Sequence, residues 1–130
     1  MKKLLRQNTG QTLMTLLFFV TIAITVTTAA IIAMYSNAQS ATKVQQGAIA
    51  YYVAEGGIEN ALIRLLRDPT YTGETLPVGT GTAVITVTGS SSSYTITSKG
   101  TVGNFLRTIQ VTAGYNSSNI LTISSWQENF

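Results

Sequence analysis

No Lys, Arg, Asp or Glu occurs from Thr12 to Thr42 of this 130-residue chain. Within that run, residues 12–35 are apolar apart from six threonines, Thr12, Thr15, Thr21, Thr25, Thr27 and Thr28. As a helix rising about 1.5 Å per residue they span roughly 36 Å, enough to cross a hydrocarbon core of about 30 Å. Threonine suits such a segment, because its hydroxyl can bond the carbonyl one turn back. Small side chains also let apolar helices approach closely. Lys2, Lys3 and Arg6 precede the run. By the positive-inside rule they predict a single-pass protein of the cytoplasmic membrane with a cytoplasmic N-terminus.

The charge balance narrows the function classes. Lys and Arg number 8 and Asp and Glu 5, giving a formal net charge of +3. Without Lys2, Lys3 and Arg6, the cations Lys43, Arg64, Arg67, Lys99 and Arg107 balance the acids Glu55, Glu59, Asp68, Glu74 and Glu128. A neutral body offers no basic field, so no specific nucleic acid is expected as a partner. The chain has no Cys and no His. Disulfides and thiol chemistry are excluded, and a soft-metal site would have only carboxylates to draw on. No nucleophile–base arrangement and no phosphate-binding glycine loop is visible. The expectation is a non-enzymatic chain with no catalytic, cofactor-binding or metal-binding residues.

The helix should continue past Tyr35. Residues 36–67 lack Pro and place Ala41, Val44, Ala48, Tyr51 or Tyr52, Ile58, Leu62, Leu65 and Leu66 at intervals of three and four, one helical face. Arg64 and Arg67 suit the C-terminal end of the helix dipole, and Asp68-Pro69 should end the helix. Gly47, Gly56 and Gly57 are unfavourable inside a helix, which predicts either bends or close approach of another backbone. Thr70 to Gly81 reads as a loop. Strands are expected at Thr82–Thr88 (Ala83, Ile85 and Val87 on one side), Tyr94–Lys99, Phe105–Ala113 and Ile120–Trp126. Turns fall at Gly89–Ser93, Gly100–Asn104 and Gly114–Asn119. The predicted fold is α+β: a long N-terminal helix packed on a small antiparallel sheet. Its expected packing partners on the helix are Tyr52, Ile58, Leu62, Leu65 and Leu66. Its parts are a basic leader (1–10), an apolar helix (11–35), an amphipathic continuation (36–68) and a β head (69–130).

Glu55 and Glu59, one turn apart, read as a solvated or inter-subunit face, with no further ligands nearby for a cation. Asn116-Ser117-Ser118 fits the N-glycosylation pattern, although a turn alone explains it. Tyr51, Tyr52, Tyr94, Phe105 and Trp126 are expected in the core.

The junction Asn8-Thr9-Gly10-Gln11-Thr12-Leu13-Met14-Thr15-Leu16-Leu17 places a glycine directly before the apolar run, whereas an ordinary secretory signal is cut after it. Ala29-Ala30 imitates such a later site. The junction resembles the class III leader of type IV prepilins, and leader, helix and sheet follow in the pilin order over the whole chain. Tyr51-Tyr52-Val53-Ala54-Glu55-Gly56-Gly57-Ile58-Glu59-Asn60-Ala61 is similar to the A-E-A-G-L-E-x-A stretch of PilX-type minor pilins. The resemblance implies cleavage between Gly10 and Gln11 by prepilin peptidase. It also implies a filament core built from the apolar helix, with Leu13, Leu16, Leu17, Phe18, Val20, Ile22 and Ile24, and a pilus at the cell surface after assembly. Partners would be further copies or other pilins. Major pilins usually carry Glu at the fifth mature position, where it meets a neighbour's N-terminal amine and sets register. Thr15 stands there in this chain, which favours a minor or tip subunit without excluding a divergent major one. The competing expectation is an uncleaved single-pass anchor displaying a β head to an extracellular ligand.

Overall fold

A computed structural model of the chain describes residues 8–90 and 92–129. Lys2, Lys3, Arg6 and most of the expected leader lie outside the described residues. One helix, α1, runs from Asn8 to Arg67, and five strands follow: β1 (Thr75–Val78), β2 (Gly81–Ser90), β3 (Ser93–Val102), β4 (Phe105–Tyr115) and β5 (Leu121–Asn129). The fold is α+β. The strands form one antiparallel sheet in the order β1-β2-β3-β4-β5, a pure meander. The chain separates into two compact units, residues up to Thr42 and residues from Lys43 onward.

The helix ends where the sequence predicts. Asp68 N–H still donates to Arg64 O at 2.8 Å, and Pro69 forbids continuation. Asp68 then turns the chain: its Oδ1 accepts from Thr70 N at 2.9 Å and Thr70 Oγ1 at 2.6 Å. These bonds hold the Asp68 carboxyl below the usual range. Late helical carbonyls lack partners within a helix. Tyr115 Oη supplies one to Leu65 O at 2.8 Å, and Tyr94 Oη donates to Pro69 O at 2.9 Å.

Three departures from the expected elements have local causes. Residues 75–78, expected as loop, form β1, an edge strand pairing Thr75–Val78 with Val84–Gly81. Pro77 hid it, since Pro demotes a short run to loop, yet Pro is allowed on an edge. The turns are tighter than expected, because β3 continues through Gly100, Thr101 and Val102, and β4 through Gly114 and Tyr115. Gly79 and Gly103 take φ of 57° and 56° as first central residues of two-residue hairpins, a conformation that glycine adopts freely. The sheet-facing side of α1 is also rotated from the one predicted. Ile58 and Leu65 are buried and Leu62 partly so, but Tyr52 and Leu66 are 64% and 60% exposed. Val44, Ala48 and Ala41 are exposed too. The buried face is Ala50, Val53, Ala54, Gly57, Ile58, Ala61 and Leu65.

Small residues hold that face because the sheet comes close. A Cβ at Gly57 would strike Ser98 Oγ and lie 2.9 Å from Ala83 Cβ, and one at Gly100 would strike Ala50 O and Ala54 N. At Gly57 it is side chains of the sheet that come close, whereas helix and sheet backbones approach at Gly100, beside Ala50 and Ala54. Opposite lie Ala83, Ile85 and Val87 of β2, Tyr94 and Ile96 of β3, and Ile109, Val111 and Ala113 of β4, all buried. Trp126, expected in the core, is 40% exposed on edge strand β5. Ser98 is wholly buried and its Oγ has no hydrogen-bond partner among the described residues. Leaving such a group unpaired costs about 1–3 kcal/mol. Ser98→Ala should therefore stabilise the protein by about 1 kcal/mol, read as a higher melting temperature of the detergent-solubilised chain. A fall would mean that the hydroxyl contributes something its neighbours do not explain.

Candidate functional site

The candidate site is the apolar part of α1. From Leu13 to Met34 its large side chains are all exposed, between 47% for Val20 and 72% for Met34. Leu13, Leu16, Leu17, Phe18, Ile22 and Ile24 all lie in that range. Fully burying one such side chain is worth about 1.5–3 kcal/mol. With so many, an aqueous environment is unfavourable on the order of tens of kcal/mol. The helix is long and apolar enough to cross a membrane. It lies near the N-terminus, consistent with membrane anchoring.

The threonines behave as expected of lipid-compatible residues. Thr15 Oγ1 donates to Gln11 O at 2.9 Å, Thr21 to Leu17 O and Phe18 O at 2.9 Å, Thr25 to Thr21 O and Thr27 to Ala23 O at 2.7 Å, and Thr28 to Ile24 O at 2.8 Å. Thr15, at the position where the resemblance calls for Glu, thus spends its hydroxyl on its own helix. Gly10 and Gln11 are exposed, and Gly10 is helical with ordinary φ. A Cβ there would meet nothing within 4 Å. Among the described residues, neither packing nor a positive φ calls for glycine here.

The remaining features belong to the head. Among the described residues no group of three His, Cys, Asp or Glu could hold a metal ion. Arg107, the exception in the apolar alternation of β4, reaches Glu128 Oε1 at 3.3 Å. The sequence gives no sign of this pair, because it depends on the β4–β5 register, in which Ile109 faces Glu128. Asn116 sits at the β4–β5 turn, its Oδ1 accepting from Ser118 N and Ile120 N at 2.9 Å, so the turn explains its identity. A long apolar N-terminal helix whose later turns pack on an antiparallel sheet is a pilin-like architecture. No known family, curated protein or solved structure matches this chain.

At the helix end, Arg64 Nε lies 3.0 Å from Glu74 Oε1, and Tyr71 Oη donates to the same carboxylate at 3.2 Å. Asn60, Ile63, Arg64, Arg67, Asp68 and Tyr71 line a surface hollow of about 420 Å3 there. Burial and the bond to Glu74 push the Tyr71 phenol up to about 12, from an ordinary value near 10. A raised phenol stabilises the fold below the unfolded value, and that contribution disappears as pH rises from about 10 through 12. Spectrophotometric titration should find one tyrosine ionising near pH 12, with Glu74→Gln lowering that value. An unchanged titration in Glu74→Gln would remove the carboxylate from the explanation.

Proposed function

We propose that this chain is a structural, non-enzymatic subunit of a type IV pilus or related filament, processed after Gly10 and assembled through its apolar helix. The observation that carries the reading is the exposed apolar surface of residues 13–34, which the described residues leave unburied. Before assembly the bilayer covers it. On extraction, neighbouring helices must replace lipid, through van der Waals packing that the Ala and Thr positions permit. The helical Gly10 supports processing, because no described residue packs against it, its φ is ordinary, and it stands directly before Gln11 and the apolar run. Prepilin peptidase, the cytoplasmic membrane and further pilin copies are the partners this reading needs, and the cell surface is its destination. Thr15, bonded within its own helix, gives no charge for the usual register contact, as in minor or tip subunits; in a divergent major subunit, register falls to other charges of the chain.

The deciding experiment is N-terminal sequencing with intact mass on protein recovered from cells. A chain beginning at Gln11, with a methylated amine, is expected. Protein that keeps Met1 would overturn the proposal and favour the uncleaved anchor.

A further inference from the structure

With its sheet-facing side covered, α1 still presents a second stripe in the head. Ala48, Tyr52, Glu55, Glu59, Ile63 and Leu66 recur at intervals of three and four, so they share one side of the helix. All but the half-buried Glu55 are exposed, with Tyr52 at 64%, Ile63 at 54% and Leu66 at 60%. This is a mixed seam, too apolar for a plain solvated surface and carrying two acids.

The charges of the head say what can cover it. Glu74 is held by Arg64, Glu128 by Arg107, and Asp68 by Thr70. Glu55 and Glu59 form no ion pair among the described residues, and neither does Arg67. Arg67 stands one turn beyond Ile63, beside the seam, whereas by the same periodicity Lys43 lies on the opposite side of the helix. Lys99 is in β3, opposite Val84, on the sheet face that α1 does not cover.

We infer that the seam packs against the helix end of a second copy, so that Glu59 of one copy meets Arg67 of the next and Glu55 meets Arg64. Glu59 precedes Arg67 by eight residues and Glu55 precedes Arg64 by nine. A single parallel offset of about 12–14 Å along the helix axis therefore satisfies both acids. Arg64 can share, since its side chain is 51% exposed beside Glu74 and a guanidinium has further donors. Tyr52, Ile63 and Leu66 flank the pairs and leave water with them. Because donor and acceptor surfaces differ, the contact is heterologous and propagates instead of closing into a dimer. The inference rests on the filament-subunit reading, and it assigns the register that Thr15 cannot set to charges in the head.

The chain has no cysteine, so two introduced thiols are unambiguous. In Glu59→Cys/Arg67→Cys the two positions of one chain lie about 12 Å apart along the helix, beyond the roughly 7 Å limit for a bridge. Oxidation of intact cells should give a ladder of disulfide-linked multimers from the double variant, with neither single variant going beyond dimers. Arg67→Glu should lower assembly roughly tenfold, and Glu59→Arg/Arg67→Glu should restore it. If the parent chain forms filaments but the double variant gives no ladder and the swap no rescue, the pairing is overturned and the filament reading stands. If the parent chain forms no assembly at all, both fall.

Discussion

Ile22→Asp/Ile24→Asp is expected to remove the chain from the membrane. Each carboxylate near the middle of a spanning helix costs about 3 kcal/mol on insertion scales, while each Leu, Ile, Phe or Val contributes only about 0.3–0.6 in favour. Two acids therefore offset most of what residues 12–35 supply. They also stand where no described residue packs closely enough to pair with them, since Ile22 and Ile24 are 57% and 61% exposed. Flotation with membranes and resistance to alkaline extraction are the readouts. The double variant should be lost to soluble aggregate or degradation, whereas Ile22→Leu/Ile24→Leu should behave as the parent. A double variant that still floats and resists extraction would mean that this helix is not the anchor.

A large loss of stability from a single methyl group is expected for Gly100→Ala. The new Cβ meets backbone atoms of α1, Ala50 O and Ala54 N, and also lies 2.9 Å from Ala54 Cβ. Backbone atoms cannot turn aside as a flexible side chain can, so helix and sheet must separate. Overpacking of this kind costs about 3 kcal/mol, or more than roughly 10 °C in melting temperature for a head of this size. Gly47→Ala is the matched control. Its Cβ would meet only the tip of the Arg107 side chain, at 3.4 Å. There the gain in helix propensity should dominate, raising stability by about 1 kcal/mol. If both substitutions lower the melting temperature alike, close approach at Gly100 is not what selects glycine there.

These glycines also explain what could be read in advance. Ala83, Ile85 and Val87 alternate with Thr82, Val84, Thr86 and Thr88, and burial follows that alternation. The helix end was equally legible, because Asp68-Pro69 acts through local sterics. Which side of α1 meets the sheet was not. Hydrophobic periodicity weights large residues, and α1 has two apolar sides in its later turns. The sheet took the side with Ala50, Ala54, Gly57 and Ala61, where the helix is thin, and left Tyr52, Ile63 and Leu66 outside. Small residues carry little weight in a pattern read by hydrophobicity, and the distance to the sheet that favours them is not written locally. Arg107 and Glu128 were invisible for a related reason, since their meeting needs the strand register. Of the candidate site, the apolar run lies in consecutive residues and was legible. Glu55 and Glu59 were legible as a solvated or inter-subunit face, but the exposed Tyr52, Ile63 and Leu66 beside them emerged only after the sheet had claimed the other side of the helix.

The threonine hydroxyls that bond carbonyls three or four residues back have a further consequence. With its proton committed, each of these threonines turns mainly a methyl group outward, so the helix carries its polarity inward and wears a continuous hydrocarbon coat. Such a coat does not distinguish a fatty-acyl chain from the flank of another helix. Moving from one to the other breaks no hydrogen bond and strands no donor. The two environments are nearly interchangeable for this segment, and its partition between them can be set by small differences in packing and by charges elsewhere in the chain.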